Sequence, residues 1–492
     1  MDSTAKTGID GLDNILASGL ARNRLYLVEG IPGSGKTTLA LQFLLAGAKN
    51  GETTLYVTLS ESDEELRAVA ESHGWNLEGI VVRELIPSDN TLSDSEHYTM
   101  FHPAEVELTE TTRTIIADIE RIKPSRVVFD SLSELRLIAG NALQYRRQIL
   151  ALKQFLSGKR CTVLLLDDMT TANHDLQVHS IAHGVIRLEQ MHPEYGAERR
   201  RLSVLKYRGV AYRGGYHDYR IKRGGLEVYP RLIANEHVPD RTSSRMESGN
   251  PELDQLIGGG LERGTSTLVI GAAGTGKSTL AAQFAVAAAS RKERAAIFAF
   301  DEHMSTLISR CDMLDIPLKQ AIDDGYVTVR QVDPAELSPG EFVHEIRRAV
   351  EEEHVEMIVI DSLNGYLMAM PEESFLIIQL HELLMYLGQA SVATILIGAQ
   401  NGLIGSQMST PFDASYLADA VVLMRYFEAF GEVRQAISVV KKRGGKHERT
   451  IREFKLNERG LSLGEPLRDF RGVLTGVPVF EGDSTTARDR WS

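Results

Sequence analysis

LYLVEG, residues 25–30, is an apolar run that stops at a glycine. IPGSGK follows as a glycine-rich turn, and TTLALQFLLAGAKN (37–50) then runs without proline and without glycine before Gly47. This order predicts a strand, a loop and a helix. Further apolar runs recur at LYVTLSE (55–61), SRVVFDSLSEL (125–135) and TVLLLDD (162–168). Continuous rather than alternating apolar residues indicate strands buried on both faces, hence a mainly parallel sheet covered by helices. From residue 200 the style changes. RRLSVLKYRG alternates and is followed by glycine-rich turns, as at an antiparallel sheet edge. The fold class read from this pattern is α/β.

The whole pattern occurs twice. GIPGSGKTTLA (30–40) returns as GAAGTGKSTLA (271–281), 277 − 36 = 241 positions later. Residues 8–62 align with 249–303 without a gap, and 21 of 55 positions are identical. STLVIG, AIFAFDE, EMIVIDSLNGY and ATILIGAQ repeat the strands, and AISVVKKRGG repeats the edge. A period this long makes each copy a domain. The expected division is 1–240 and 241–465, with a polar linker inside 231–249. Residues 466–492 are expected to be a loop-like C-terminal segment ending in a disordered tail, GDSTTARDRWS.

Composition narrows the class. The chain has 492 residues, a net charge of −13 and two cysteines, Cys161 and Cys311. The charge disfavours a dedicated nucleic-acid binder. The cysteine count disfavours a disulfide framework or a zinc site. No apolar run approaches a membrane span, so a cytoplasmic protein without a membrane partner is expected.

The glycine loops carry the clearest chemistry. GxxxxGK[ST] cradles phosphates with inward-turned backbone N–H groups at a helix N-terminus. The residues assigned to nucleotide binding are Gly33, Ser34, Gly35, Lys36, Thr37 and Thr38, and Gly274, Thr275, Gly276, Lys277, Ser278 and Thr279. The lysines would reach the β- and γ-phosphates of ATP, and Thr37 and Ser278 would ligate Mg²⁺. Asp130 and Asp361 end apolar strands, where α/β sheets bind ligands, and suit the Mg²⁺ shell. The alternative is a helix N-cap. After the second strand stand Ser60-Glu61 and Asp301-Glu302. Glu61, Glu302 and Asp301 are the candidates to orient the attacking water; the alternative is a solvated turn. A period of two places Leu202, Val204, Lys206 and Arg208 on one face, and Ile437, Val439, Lys441 and Arg443 on another. Each Lys-x-Arg pair is read either as an exposed basic strand end or as fingers for a neighbouring subunit's γ-phosphate.

At these residues the chain resembles the KaiC family, the circadian-clock ATPase/kinase of the RecA-like superfamily. The likeness spans nearly the whole chain: TGIDGLD, GIPGSGKTT, YVTLSE, FDSLSEL, LKYRG, GAAGTGKST, FAFDE, IDSLNGY, YLADAVVLMRY and FRGVLTGVP. It implies two tandem RecA-like P-loop domains stacked as two rings of a homohexamer, with ATP at subunit interfaces. Lys206/Arg208 and Lys441/Arg443 would then act in trans. It further implies slow hydrolysis in the first ring and autophosphorylation as well as hydrolysis in the second. Two departures stand out. Family members usually have two adjacent glutamates after the second strand; here Ser60 and Asp301 take the first place. Where the family has an adjacent Ser-Thr phosphoacceptor pair this chain has Ser415 and Tyr416; Ser415 matches and Tyr416 does not, so Ser415 is the candidate acceptor, or else a helix or loop cap. A KaiB-type partner on the first ring follows from the resemblance. The short extension after FRGVLTGVP argues against a KaiA-type activator on the tail.

Two other readings stay open. A RecA-like DNA-handling ATPase would use Arg199-Arg200-Arg201 and Lys441-Lys442-Arg443, with steep salt dependence. A scaffold would bind ATP only to assemble.

Overall fold

The computed structural model describes all residues except 1–2, 86–102, 140, 170–175, 194, 235–243, 369–372, 401–414, 459, 476 and 482–492. Two compact units divide the chain, Met1–Arg231 and Leu232–Ser492. The domain boundary expected near 240 falls outside the described residues.

The first unit is built on strands β1 (Leu25–Gly30), β2 (Thr54–Thr58), β3 (Ile80–Glu84), β4 (Arg126–Asp130), β5 (Thr162–Asp167), β6 (Gly184–Met191), β7 (Arg199–Tyr207), β8 (Tyr216–Lys222) and β9 (Gly225–Tyr229). They lie in one sheet, ordered β3-β2-β4-β5-β1-β6-β7-β8-β9. β3 through β6 are parallel and β7 to β9 antiparallel. Alternate residues of each parallel strand serve two cores. Tyr26, Val28, Tyr56, Val128 and Leu164 pack with helix α1 (Lys36–Lys49) on one face. Leu25, Leu27, Leu55, Val127 and Leu165 pack with the helices Leu132–Ala139 and Ala142–Ser157 on the other. Burial on both faces is why these strands carry no polar alternation; each such side chain contributes on the order of 2 kcal/mol.

The second unit repeats the plan with β10 (Ser266–Gly271), helix α2 (Lys277–Ser290), β11 (Ala295–Ala299), β12 (Val327–Gln331), β13 (Met357–Asp361), β14 (Ala393–Ala399), β15 (Ala420–Ala429), β16 (Glu432–Lys442), β17 (Arg452–Asn457) and β18 (Gly460–Pro466). The order, β12-β11-β13-β14-β10-β15-β16-β17-β18, matches the first sheet strand for strand. Leu232 and Ala234 are buried in this unit's core beside Leu380 and Leu383. The shared aspartates near each copy's start are structural: Asp13 accepts from Thr7 N at 2.9 Å, and Asp254 from Ser248 N at 2.8 Å.

Two expectations are corrected. Residues 466–481 are not simply loop. Phe470–Arg471 pairs with Val479–Phe480, and Leu467 and Val473 are buried with Phe427 and Ala436. The four-residue stripes ending in Lys-x-Arg are also broken. β6 pairs Val185 with Lys206 but Ile186 with Val204, so Leu205 bulges out and is 41% exposed. β15 pairs Val421 with Lys441 but Val422 with Val439, leaving Val440 49% exposed. A bulge adds one residue and reverses the faces beyond it. Tyr207 therefore joins Leu202 and Val204 in the core, and Lys442, not Lys441, follows Ile437 and Val439 inward to the carbonyl of Ile257. Lys206 and Arg208 still share a face, as do Lys441 and Arg443, but it is the face opposite their apolar neighbours.

Candidate functional site

Each parallel sheet gathers the predicted polar residues at the carboxyl ends of its strands. In the first unit the loop after β1 turns on Gly33 (φ 82°) and Gly35 (φ 92°), the left-handed values that favour glycine. Gly274 (φ 79°) and Gly276 (φ 91°) do the same after β10. A Cβ on Gly30 would stand 2.6 Å from Leu188 O, and one on Gly271 2.2 Å from Met424 O. α1 and α2 each run 14 residues from the loop lysine, so their unpaired N–H groups face the turn. This cradle, built of backbone donors and closed to side chains, fits a nucleotide phosphate chain.

Lys36 is buried, and its Nζ donates to the carbonyls of Gly30 (2.9 Å) and Ile31 (3.1 Å) and pairs with Asp168 Oδ1 (2.8 Å). Lys277 Nζ donates to Gly271 O (3.0 Å) and Ala272 O (2.7 Å). Burial pushes the Lys277 ammonium below its usual range, while Asp361 pulls it back up. Ser34, Thr38, Thr275 and Thr279 are buried within or just after the loops. Thr275 Oγ1 donates to Ala272 O at 2.9 Å, whereas Ser34 Oγ and Thr279 Oγ1 have no partner among the described residues.

Thr37 Oγ1 donates to Asp130 Oδ2 at 3.1 Å, and Tyr56 OH donates to the same oxygen at 2.5 Å. Ser278 stands close enough to Asp361 to lower that carboxyl's proton affinity. Each predicted metal pair is thus brought together, a hydroxyl beside a carboxylate as an Mg²⁺ shell requires. Burial raises the proton affinity of both Asp130 and Asp361; hydrogen bonds from Tyr56 and Thr37, and from Ser278, oppose it. Both aspartates are joined to the next serine by a cis peptide bond.

The acids after the second strand differ between the units. Glu61 has a buried Oε2 without a hydrogen-bond partner among the described residues, and burial first, then Asp130, Glu65 and Asp168, raise its proton affinity. Glu302 is held in a two-pronged pair by Arg310, at 2.7 and 2.9 Å. Asp301 accepts from the hydroxyl of Ser362. A carboxyl that burial and like charges make more basic is suited to taking a proton near neutral pH.

Lys206, Arg208, Lys441 and Arg443 lie at the other edge of their sheets. Lys206 Nζ donates to the carbonyls of His179 and Ala182, and Arg208 to Ser180 O. Lys441 Nζ donates to Ser415 O (2.6 Å) and Ala418 O (2.8 Å), and Arg443 to Tyr416 O (2.6 Å). These contacts superpose Ser415 on His179, whose Nε2 meets Glu29 Oε2 at 2.6 Å. Beside Arg208 a cleft of about 240 Å³ is lined by Arg24, Lys153 and His183. The basic runs offered for DNA are partly neutralised within the unit: Arg201 pairs with Glu189 (2.7 Å), Arg200 with Glu198, and Lys442 with Glu262 (3.5 Å).

Two contacting groups were passed over in the sequence. Asp168 stands one residue beyond Asp167, which ends TVLLLD as Asp130 ends RVVFD, so the rule that singled out Asp130 pointed to its neighbour. Arg310 lies eight residues after Glu302, two helical turns on, and had no local signal.

The comparisons agree with this geometry. The family model described as "ATPase: KaiC" matches residues 5–233 and again 246–468. A circadian clock protein KaiC3 from Synechocystis sp. is 27% identical over 498 residues, covering 98% of this chain and 96% of that one. Circadian clock oscillator proteins KaiC from Parasynechococcus marenigrum and Parathermosynechococcus lividus are each 26% identical, covering 96% of this chain and 92% and 88% of theirs. Among the described residues no helix is long and apolar enough to cross a membrane.

Proposed function

Because the chain belongs to the KaiC ATPase family along both of its halves, we propose that it is a homohexamer that hydrolyses ATP in both domains and phosphorylates itself at Ser415, as a timing or signalling protein. The domains are 1–240 and 241–465, followed by the C-terminal segment 466–492.

The observation that carries the assembly is the separation of loop and cations. The loop leaves the carboxyl end of β1, whereas Lys206 pairs beside Val185 and turns back to carbonyls that precede β6. Val185 pairs with Leu27, three residues before Gly30, so Lys206 lies about 10 Å back along β1 from the loop and its accepting carbonyls lie further back still. β10 likewise has Lys441 level with Leu268, three residues before Gly271, with Arg443 further back beside Asp419. These cations and the Ser415 hydroxyl serve a nucleotide on the next chain, not their own. A ring in which each copy offers its loop edge to its neighbour's cation edge satisfies all of them.

In each site the backbone cradle and Lys36 or Lys277 hold the triphosphate. Thr37 with Asp130, and Ser278 with Asp361, are the residues to hold Mg²⁺, which neutralises charge on the transferring group. Glu61 and Glu302 orient the attacking water and accept its proton. For autophosphorylation the Ser415 hydroxyl of one chain attacks the γ-phosphorus bound by the next. The bond to the β,γ-bridging oxygen breaks, ADP leaves, and Asp301 or Glu302 takes the hydroxyl proton. The neighbour's Lys-x-Arg cations offset the charge that spreads over the phosphoryl oxygens.

Incubation with γ-labelled ATP and Mg²⁺, followed by peptide mapping, tests the kinase reading: label on Ser415 is expected, and label on no residue refutes it. Sizing under saturating ATP tests the ring, which a persistent monomer would overturn. A KaiB-type partner on the first ring is tested by the same sizing with such a protein added.

A further inference from the structure

The two sites carry the same pair of acids but bring one of them from different strands. Strand pairing aligns Ser131 with Ser362, since each follows the aspartate that ends β4 or β13. It aligns Asp168 with Ala399, since β1 pairs Glu29 with Asp167 and β10 pairs Ile270 with Gly398. In the second unit the Ser362 hydroxyl donates to Asp301. In the first, Ser60 stands where Asp301 stands, and the Ser131 hydroxyl donates instead to Asp168 Oδ2 at 2.9 Å. The other oxygen of Asp168 takes the loop lysine, Lys36 Nζ, at 2.8 Å. Asp168 N is held in turn by Ser133 Oγ at 3.2 Å.

We infer that Asp168 replaces, in the first domain, the acid missing at Ser60, and that it is the positioning residue that sets Lys36 for ATP hydrolysis there. The inference rests on the proposal that this domain hydrolyses ATP. The relay Ser131–Asp168–Lys36 fixes the ammonium before the phosphates arrive. A cation already placed where charge develops lowers the barrier without reorganising during the reaction. The same carboxylate competes with the phosphates for that ammonium. It therefore weakens ground-state binding while favouring the chemical step, and its removal moves affinity and turnover in opposite directions. A merely structural residue would lower both.

The test uses the full chain with Lys277→Ala to silence the second site, and follows phosphate release together with affinity for a fluorescent ATP analogue. Asp168→Ala is expected to lower kcat at least about tenfold while tightening analogue binding about threefold to tenfold. Asp168→Glu should retain most of the turnover. Ser60→Asp combined with Asp168→Ala rebuilds the second domain's arrangement, an acid on the serine hydroxyl while the loop lysine donates to carbonyls, and should leave both quantities where Asp168→Ala alone puts them. The inference is overturned if Asp168→Ala leaves both quantities unchanged, if it weakens binding, or if adding Ser60→Asp restores turnover without the Asp168 contact to Lys36. Should the Lys277→Ala parent release no phosphate, first-domain hydrolysis has failed on its own account. The binding arm then decides for Asp168: tighter analogue binding in Asp168→Ala supports the competition for Lys36, and unchanged binding removes it.

Discussion

Arg310 grips both carboxylate oxygens of Glu302, at 2.7 and 2.9 Å, while Glu61 at the matching place has a buried oxygen with no partner among the described residues. The position matching Arg310 is Val69, 310 − 241 = 69. A bidentate guanidinium occupies both carboxylate oxygens and fixes their direction, so Glu302 is less free than Glu61 to take a proton from an attacking water. Replacing Arg310 with Leu in a Lys36→Ala background should raise second-domain phosphate release about threefold to tenfold. An unchanged or lower rate would show that the pair orients Glu302 productively instead.

Arg126, the first residue of β4, is fully buried, yet β13 has Met357 at the matching place. Its guanidinium reaches Glu52 at 2.6 Å and the carbonyls of Lys6 and Phe43, and it lies over the Phe43 ring. Arg22 joins Glu52 at 2.7 Å, and the two arginines hold the Glu52 carboxyl down to about 2 against the opposing effect of burial. Glu52→Gln leaves a buried cation without its counter-charge, which costs about 3–5 kcal/mol. Hydrogen exchange should show that loss in β2 and β4, with β11 and β13 unaffected. Uniform protection would mean that the pair contributes little.

How much of this was readable in advance depends on the range of the interaction. The strands, the glycine turns and Asp130 and Asp361 follow from short apolar runs and what ends them, so local pattern sufficed. The bulges at Leu205 and Val440 did not, because they are set by the partner strand: period two alone cannot reveal where one extra residue is accommodated. Asp168 meets Lys36 because β5 lies beside β1, a neighbour relation created by the sheet order over 132 positions, 168 − 36. The Ser60–Asp301 difference was visible. That an acid from another strand occupies the same hydroxyl was not.

His217 is buried in β8, where its Nδ1 accepts from Arg231 N (2.8 Å) and its Nε2 meets Arg213 O (2.9 Å). The ring is therefore neutral with its proton on Nε2. Burial first, and then Arg213 and Arg231, lower its pKa to about 4. The unfolded chain takes up this proton near pH 6.5, the folded one only near 4, so the contribution to stability is complete above 6.5 and is lost as pH falls towards 4. The loss is at most about 3 kcal/mol. Urea titrations of the first domain's transition at pH 7 and pH 5 should differ for the wild type and differ less for His217→Gln. Equal slopes in both would remove His217 as the titrating group.

The last prediction concerns shared sites. Each nucleotide position joins one chain's loop and acids to another chain's cations, so two damaged chains can make a working site between them. Arg208→Ala with Arg443→Ala should lower ATP hydrolysis on the order of 10³-fold, the scale of a missing arginine finger. Lys36→Ala with Lys277→Ala should abolish it by emptying the cradle of its cation. When the two are mixed and reassembled, some interfaces place intact loops from the first variant against intact cations from the second. A substantial fraction of wild-type phosphate release should then return, rising and falling with mixing ratio. The same mixture supplied with γ-labelled ATP should label Ser415 on the loop-dead chains, because the acceptor and the cations share an edge. Recovery of neither activity would mean that each chain completes its own site, in conflict with the register that sets Lys441 level with Leu268, three residues back from the loop.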